Sequence, residues 1–239
     1  MYLKTKGIVL HTVKYSETSV IAKIYTEKLG LVSYMVKGVR SAKSKAKAAL
    51  LQPLTLLHME VSHRENKQLQ FIKEFRRDYT YQSIPFNMPK SAIALFLLEV
   101  ISKSIREHEE NIEMFEFIYD SLCALDKSEK LNPDFHLLFL IHFTRYLGFG
   151  PHGNFSDATC YFELSEGIFT ANGSQPRTLD KRESELLQTF LVTNKFEGAT
   201  LRITRLERQQ MMKHLVRYYQ LHIENFALKS PEILEELFN

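Results

Sequence analysis

Lys43-Ser-Lys45-Ala-Lys47 spaces three ammonium groups two residues apart, and Lys37 and Arg40 precede them. The small residues between leave these charges able to follow a phosphate backbone. From Lys28 to Met59 there is no acidic residue. Residues 1–80 hold 15 Lys+Arg and 6 Asp+Glu, a net of +9, whereas residues 81–239 hold 16 and 22, a net of −6. The overall charge of +3 hides this contrast, which points to a first domain that binds a polyanion. A solvated, solubilising loop would give the same count. Aromatic company separates the two, because single strands are held by a cationic groove together with rings that stack bases. The chain has no tryptophan, so stacking falls to Tyr or Phe. Tyr25 and Tyr34 are the candidates, since a phenol tolerates exposure, while Phe71 and Phe75 are expected in the core.

Other chemistry finds little support. Gly148-Phe-Gly150-Pro-His-Gly153 matches the dinucleotide pattern GxGxxG, which needs a preceding strand and a following helix. Here a helix precedes it and Pro151 removes one N–H, so it reads as a helix stop. Cys160, His152 and Asp157 share one loop, and His58 and His63 flank a strand end, but a structural zinc site needs four ligands in close pairs. No CxxC, HExxH or HxxxH occurs. There is no GxSxG, no Walker loop and no Asp-x-Asp or Asp-x-Glu pair for two divalent ions. Glu107, Glu109 and Glu110, like Glu232, Glu235 and Glu236, read as solvated helix ends. No metal, no cofactor and no catalytic residue is expected.

The elements that must position the basic segment come in two kinds. Gly7–Val13, Ser19–Thr26, Leu31–Val39, Leu54–Val61 and Leu69–Arg76 alternate and read as strands. Gly30 supplies the positive φ for the turn between the second and third. Five short strands with a long connection after the third, roughly Arg40 to Ala49, suit a small Greek-key barrel of the OB type. Beyond Pro89 the period shifts towards 3.6, with Ile93, Leu97, Ile101 and Ile105 making one stripe. Further helices are expected over 111–125 and over Asp134–Leu147, the latter capped by Asn132 with Pro133 and apolar nearly all round. Asp180-x-x-Glu183 and Thr204-x-x-Glu207 are capping boxes for two more, and Ser230-Pro231 opens a last one. An irregular stretch at 148–177 carries a possible hairpin, Tyr161–Thr170. The expected class is α+β: a barrel over 1–80, then a helical domain over 81–239 with that insertion.

The longest apolar run, Ala92 to Leu98, is seven residues, far below the ~20 that span a bilayer. The start MYLKTKGIVLHTV has no apolar h-region, so no secretory signal is expected. Cys123 and Cys160 then read as reduced cytosolic thiols, and Asn154-Phe-Ser and Asn172-Gly-Ser as chance sequons.

Taken in order, several stretches resemble the bacterial recombination mediator RecO family. They are Gly7-Ile-Val-Leu10, Tyr15-Ser-Glu-Thr-Ser-Val20, Tyr25-Thr-Glu-Lys-Leu-Gly-Leu31, Lys37-Gly-Val-Arg40, the Ser/Lys-rich loop, Leu51-Gln-Pro-Leu-Thr-Leu56 and Leu147-Gly-Phe-Gly-Pro151. The resemblance implies an OB domain on a helical domain, in a cytoplasmic, nucleoid-associated bacterial protein. It implies binding of single- and double-stranded DNA and annealing of complementary strands. It implies action with RecR to load RecA onto DNA coated by single-strand binding protein, whose acidic tail is bound. By that likeness Lys37, Arg40, Lys43, Lys45 and Lys47 look like DNA contacts. Arg145, Arg202, Arg205 and Arg208 are candidates for the acidic tail. Many members hold zinc with four cysteines after the segment matching Leu147–Pro151, but this chain keeps only Cys160 there.

The expected function is thus a non-enzymatic DNA-repair and recombination mediator that neutralises phosphates on two strands and lets them pair. Two rivals remain open: an OB-fold RNA-binding translation or ribosome factor, and a metal-dependent nuclease.

Overall fold

Alternating apolar side chains oblige the first part of the chain to pair into sheet, and the sheet closes on itself. The computed structural model describes residues 2–39, 45–64, 67–106, 108–193 and 203–230. Its five long strands are β1 (Tyr2–Lys14), β2 (Val20–Thr26), β3 (Gly30–Val36), β4 (Leu56–Ser62) and β5 (Leu69–Arg77). They form a closed barrel in the order β1-β2-β3-β5-β4. All pairs are antiparallel except β3 with β5. One half of β1 pairs with β4 and the other with β2, and a bulge between Val9 and His11 bends the strand. Closure gives every strand two neighbours, β3 and β5 meeting over three residue pairs, Ser33–Met35 with Leu69–Phe71. This is the expected five-stranded barrel.

Inward positions at period two, including Val9, Ala22, Ile24, Val32, Met59 and Val61, fill the barrel. Gly30 has φ +60°, and a Cβ there would run into the Glu109 carbonyl oxygen. The short helix α1 (Lys45–Ala49) lies in the connection after β3. Val39 before that connection and Leu51 after it are both buried in the barrel core. Thr12 Oγ1 donates to the Leu51 carbonyl at 2.7 Å, which ties the return of the connection to β1.

A single boundary after residue 80 was expected, but the chain passes between two compact units three times. One comprises Met1–Phe86 with Ile105–Asp126, the other Asn87–Ser104 with Lys127–Asn239. Helix α2 (Met88–Ser104) therefore falls in the second unit, and α3 (Ile112–Lys127), but for its last residue, in the barrel's unit. The reason lies in what α3 buries. Its Phe115 ring meets Tyr25 at 5.9 Å, and the Tyr119 hydroxyl donates to Asp78 Oδ2 at 2.8 Å. At its end the buried Asp126 carboxylate accepts the backbone N–H groups of Gln82, Ser83 and Ile84 and the Tyr79 hydroxyl.

In the second unit α4 (Phe135–Tyr146) is buried over ten consecutive residues, Phe135 to Thr144, as its all-round apolarity requires. It starts later than expected. Asn132 and Pro133 form the preceding turn, with Asn132 Oδ1 accepting from the Asp134 N–H, and Asp134 is the N-cap. Both capping boxes are present, Asp180 with Glu183 opening α5 (Lys181–Val192) and Thr204 with Glu207 opening α6 (Arg205–His222). The expected hairpin is there as β6 (Tyr161–Glu163) and β7 (Ile168–Thr170), joined by β8 (Thr178–Leu179) in a three-stranded sheet. The helix expected from Ser230-Pro231 lies outside the described residues.

Candidate nucleic-acid interface

Strand register determines which side chains share the barrel's outer surface. Val13 pairs with Ile21, Ile21 with Met35, and Met35 with Phe71, so these four form one outward row across β1, β2, β3 and β5. The neighbouring row is His11, Lys23, Ser33 and Leu69. Lys37 follows the end of β3 and is exposed. Neither row contains an acidic residue.

The face made by β1, β4 and β5 is different. There Lys4 pairs with Glu60 and Glu60 with Glu74. Lys73 Nζ lies 2.8 Å from Glu60 Oε1, and Lys6 Nζ lies 3.6 Å from Asp78 Oδ2. The Glu60 carboxyl is held below its ordinary value chiefly by the Lys73 hydrogen bond. On that face acids stand among the cations, with the exposed Arg76 opposite His58, whereas the two outward rows of the β1-β2-β3-β5 side carry Lys23 with no acid. Residues 105–126, whose helix α3 covers Tyr25 on β2, hold seven acids and one arginine.

Phe71 is 41 % exposed at the end of the outward row, and Lys37 Nζ sits 5.5 Å from its ring centroid. A ring face attracts an ammonium in this way. Phe71 was expected in the core; the structure corrects this and supplies the reason. Lys73 is an extra residue, since Glu60 opposes Glu74 while Val61 opposes Ile72. This bulge reverses the alternation, so Phe71 faces out while Phe75, four residues on, packs against the core.

The two tyrosines expected as stacking platforms are buried, and neither can offer a ring to a base at the surface. Tyr25 faces outward but lies under α3, against Phe115, with its hydroxyl donating to the Asn111 carbonyl at 3.4 Å. Tyr34 faces inward, and its hydroxyl has no hydrogen-bond partner among the described residues. Burial pushes its pKa up. Of the basic positions, Lys37 and Lys47 are exposed, the latter on α1. Lys45 is the first residue of α1, its side chain outside the described residues, as are Arg40 and Lys43 altogether.

Comparison with known proteins bears on what such a barrel serves. Residues 1–77 match the family described as recombination protein O N terminal, and residues 85–232 match recombination protein O C terminal. The chain belongs to the recombination protein O family. Relatives named DNA repair protein RecO include one from Christiangramia forsetii, 37 % identical over 240 residues. Others come from Bacteroides fragilis, 37 % identical over 242 residues, and Porphyromonas gingivalis, 30 % identical over 245. In all three the similarity covers the whole of both chains. Among the described residues no helix is long and apolar enough to cross a membrane.

A zinc held by four cysteines, which the family resemblance implies for many members, does not fit the described residues. Cys160 is buried, and among the described residues no group of three or more His, Cys, Asp or Glu could hold a metal ion. Rings occupy the region instead. Phe149 stacks on His222 at 4.8 Å with the planes 1° apart, and the Tyr218 hydroxyl donates to the Phe149 carbonyl at 2.5 Å. His222 Nε2 lies 3.0 Å from the Leu164 carbonyl oxygen at the end of the hairpin's first strand.

The arginine candidates for an acidic tail separate. Arg208 Nε is 2.6 Å from Asp134 Oδ1 and mostly buried, so it serves the fold rather than a surface. Arg145 is exposed, with Nη2 donating to the Leu191 carbonyl at 3.3 Å, and Arg205 is exposed at the start of α6. Arg202 lies outside the described residues.

Proposed function

We propose that this protein is a recombination mediator that binds single- and double-stranded DNA and anneals complementary strands. It would assist RecA loading onto DNA coated by single-strand binding protein, together with RecR. The supporting observation is the outer face of β1, β2, β3 and β5, acid-free in its two outward rows and adjoining the exposed Lys37. Lysines on this face and in the connection after β3 neutralise phosphates, which lowers the repulsion between two strands and lets base pairing proceed. Phosphate contacts position a strand without reading its sequence, so annealing would be general.

In this reading Lys37, Arg40, Lys43, Lys45 and Lys47 carry the phosphate contacts. Arg145, Arg202 and Arg205 are the cations left for the acidic tail of single-strand binding protein.

The test is annealing of complementary oligonucleotides, with and without single-strand binding protein, in the presence of magnesium. Faster pairing with strands of unchanged length is the expected result. Shortened strands would identify a nuclease, and a preference for RNA of the same sequence a translation factor; either outcome overturns the proposal.

A further inference from the structure

We infer that the Phe71 ring is a base-stacking platform, which makes the cationic face of the barrel selective for unpaired bases. The inference rests on the DNA-binding reading above and names the substrate class that this face prefers. Phe71 ends a row whose other members, Val13, Ile21 and Met35, are all apolar and at least partly exposed. The row crosses four strands, about 14 Å at the usual strand spacing. Such a stripe is out of place on a surface meant only for phosphates, which lysines alone would serve.

Lys37 sits over the same ring. Ring and ammonium together supply both halves of a nucleotide contact, a π-face for the base and a cation for its phosphate. A duplex keeps its bases stacked on one another and shows only its backbone, so it engages Lys37 but not Phe71. An unpaired strand engages both. An annealing protein built this way holds each strand while it is single and loses the ring contact once the strand pairs, which favours release of the product.

The absence of tryptophan makes the test direct. The full chain would be prepared as Phe71→Ala and Phe71→Trp, each checked for folding by circular dichroism, and titrated with a thymine homopolymer and with a duplex of equal length. Phe71→Ala is expected to weaken single-strand binding roughly tenfold and to leave duplex binding and its salt dependence unchanged. Phe71→Trp is expected to keep single-strand affinity, with its emission quenched by the homopolymer and not by the duplex. An unquenched Trp beside undiminished homopolymer binding, or an equal loss on both DNAs, would overturn the inference. If Lys37→Ala still weakens binding in that case, the DNA-binding reading stands without the stacking. A parent chain that binds neither DNA removes the reading itself.

Discussion

Arg208 donates to Asp134 across 2.6 Å, and the aspartate is completely buried. A charge withdrawn from water in this way needs its partner. Removing the guanidinium takes the opposite charge away from a buried carboxylate, so Arg208→Ala is expected to lose about 3–5 kcal/mol in urea unfolding. Arg205→Ala, three residues away and exposed, should change stability by less than about 0.5 kcal/mol. His136, buried beside this pair, has its pKa pushed down to about 3 by burial and then by the Arg208 charge, so it stays neutral at ordinary pH. Equal stability of the two arginine variants would refute the structural role given to Arg208.

Asp126 sets an acid limit on the barrel's unit. Burial alone would raise its carboxyl, but the N–H groups of Gln82, Ile84 and Ser83, with the Tyr79 hydroxyl, outweigh burial and hold it below the ordinary value. A carboxyl depressed in the folded state contributes its full stability above the unfolded value of about 4 and loses it as pH falls through the folded value. Asp126→Asn is expected to cost on the order of 3 kcal/mol at pH 7. It should also flatten the fall in stability below about pH 4. Parallel pH profiles for parent and variant would show that the carboxylate charge is not what these donors bind.

The barrel strands and both capping boxes were legible because each rests on local rules, period two in the strands and a Ser/Thr/Asp-x-x-Glu spacing at the helix starts. Local rules also account for the misses. Val32, Tyr34 and Val36 share a parity, yet Leu31 and Met35 on the opposite parity are apolar too, so the sequence shows no preferred inner face for Tyr34. Phe71 and Phe75 share a parity as well, and only the extra residue Lys73 puts them on opposite sides. Tyr25 is covered by a helix that begins 87 residues later. No pattern around Tyr25 announces that helix.

The insertion should not depend on metal. Phe149, His222 and Tyr218 hold it through ring contacts, each worth about 0.5–1.5 kcal/mol beyond burial, and through the Phe149 and Leu164 carbonyls. A chelator is expected to leave thermal unfolding unchanged. Phe149→Ala should destabilise by roughly 3 kcal/mol, the low end for a core phenylalanine because its ring is part-exposed. One zinc per chain after purification without added metal, or a lowered melting point in chelator, would contradict this.

The basic connection gives the most discriminating measurement. If about four of Lys37, Arg40, Lys43, Lys45 and Lys47 meet phosphates, the slope of log affinity against log salt for single strands should be roughly −3, at ~0.7 per contact. Raising salt from about 50 to 200 mM should then weaken binding on the order of 50-fold. Replacing Lys43, Lys45 and Lys47 by alanine removes up to three contacts and should lower the slope by about 2, equally for different sequences. Adding Lys37→Ala should remove most of what remains. Lys37 and Lys47 are exposed, and exposed lysines contribute little to folding, so their replacement should hardly move stability. A loop that only solubilises the chain predicts the parent's slope in every variant, and that result would withdraw these residues from the interface.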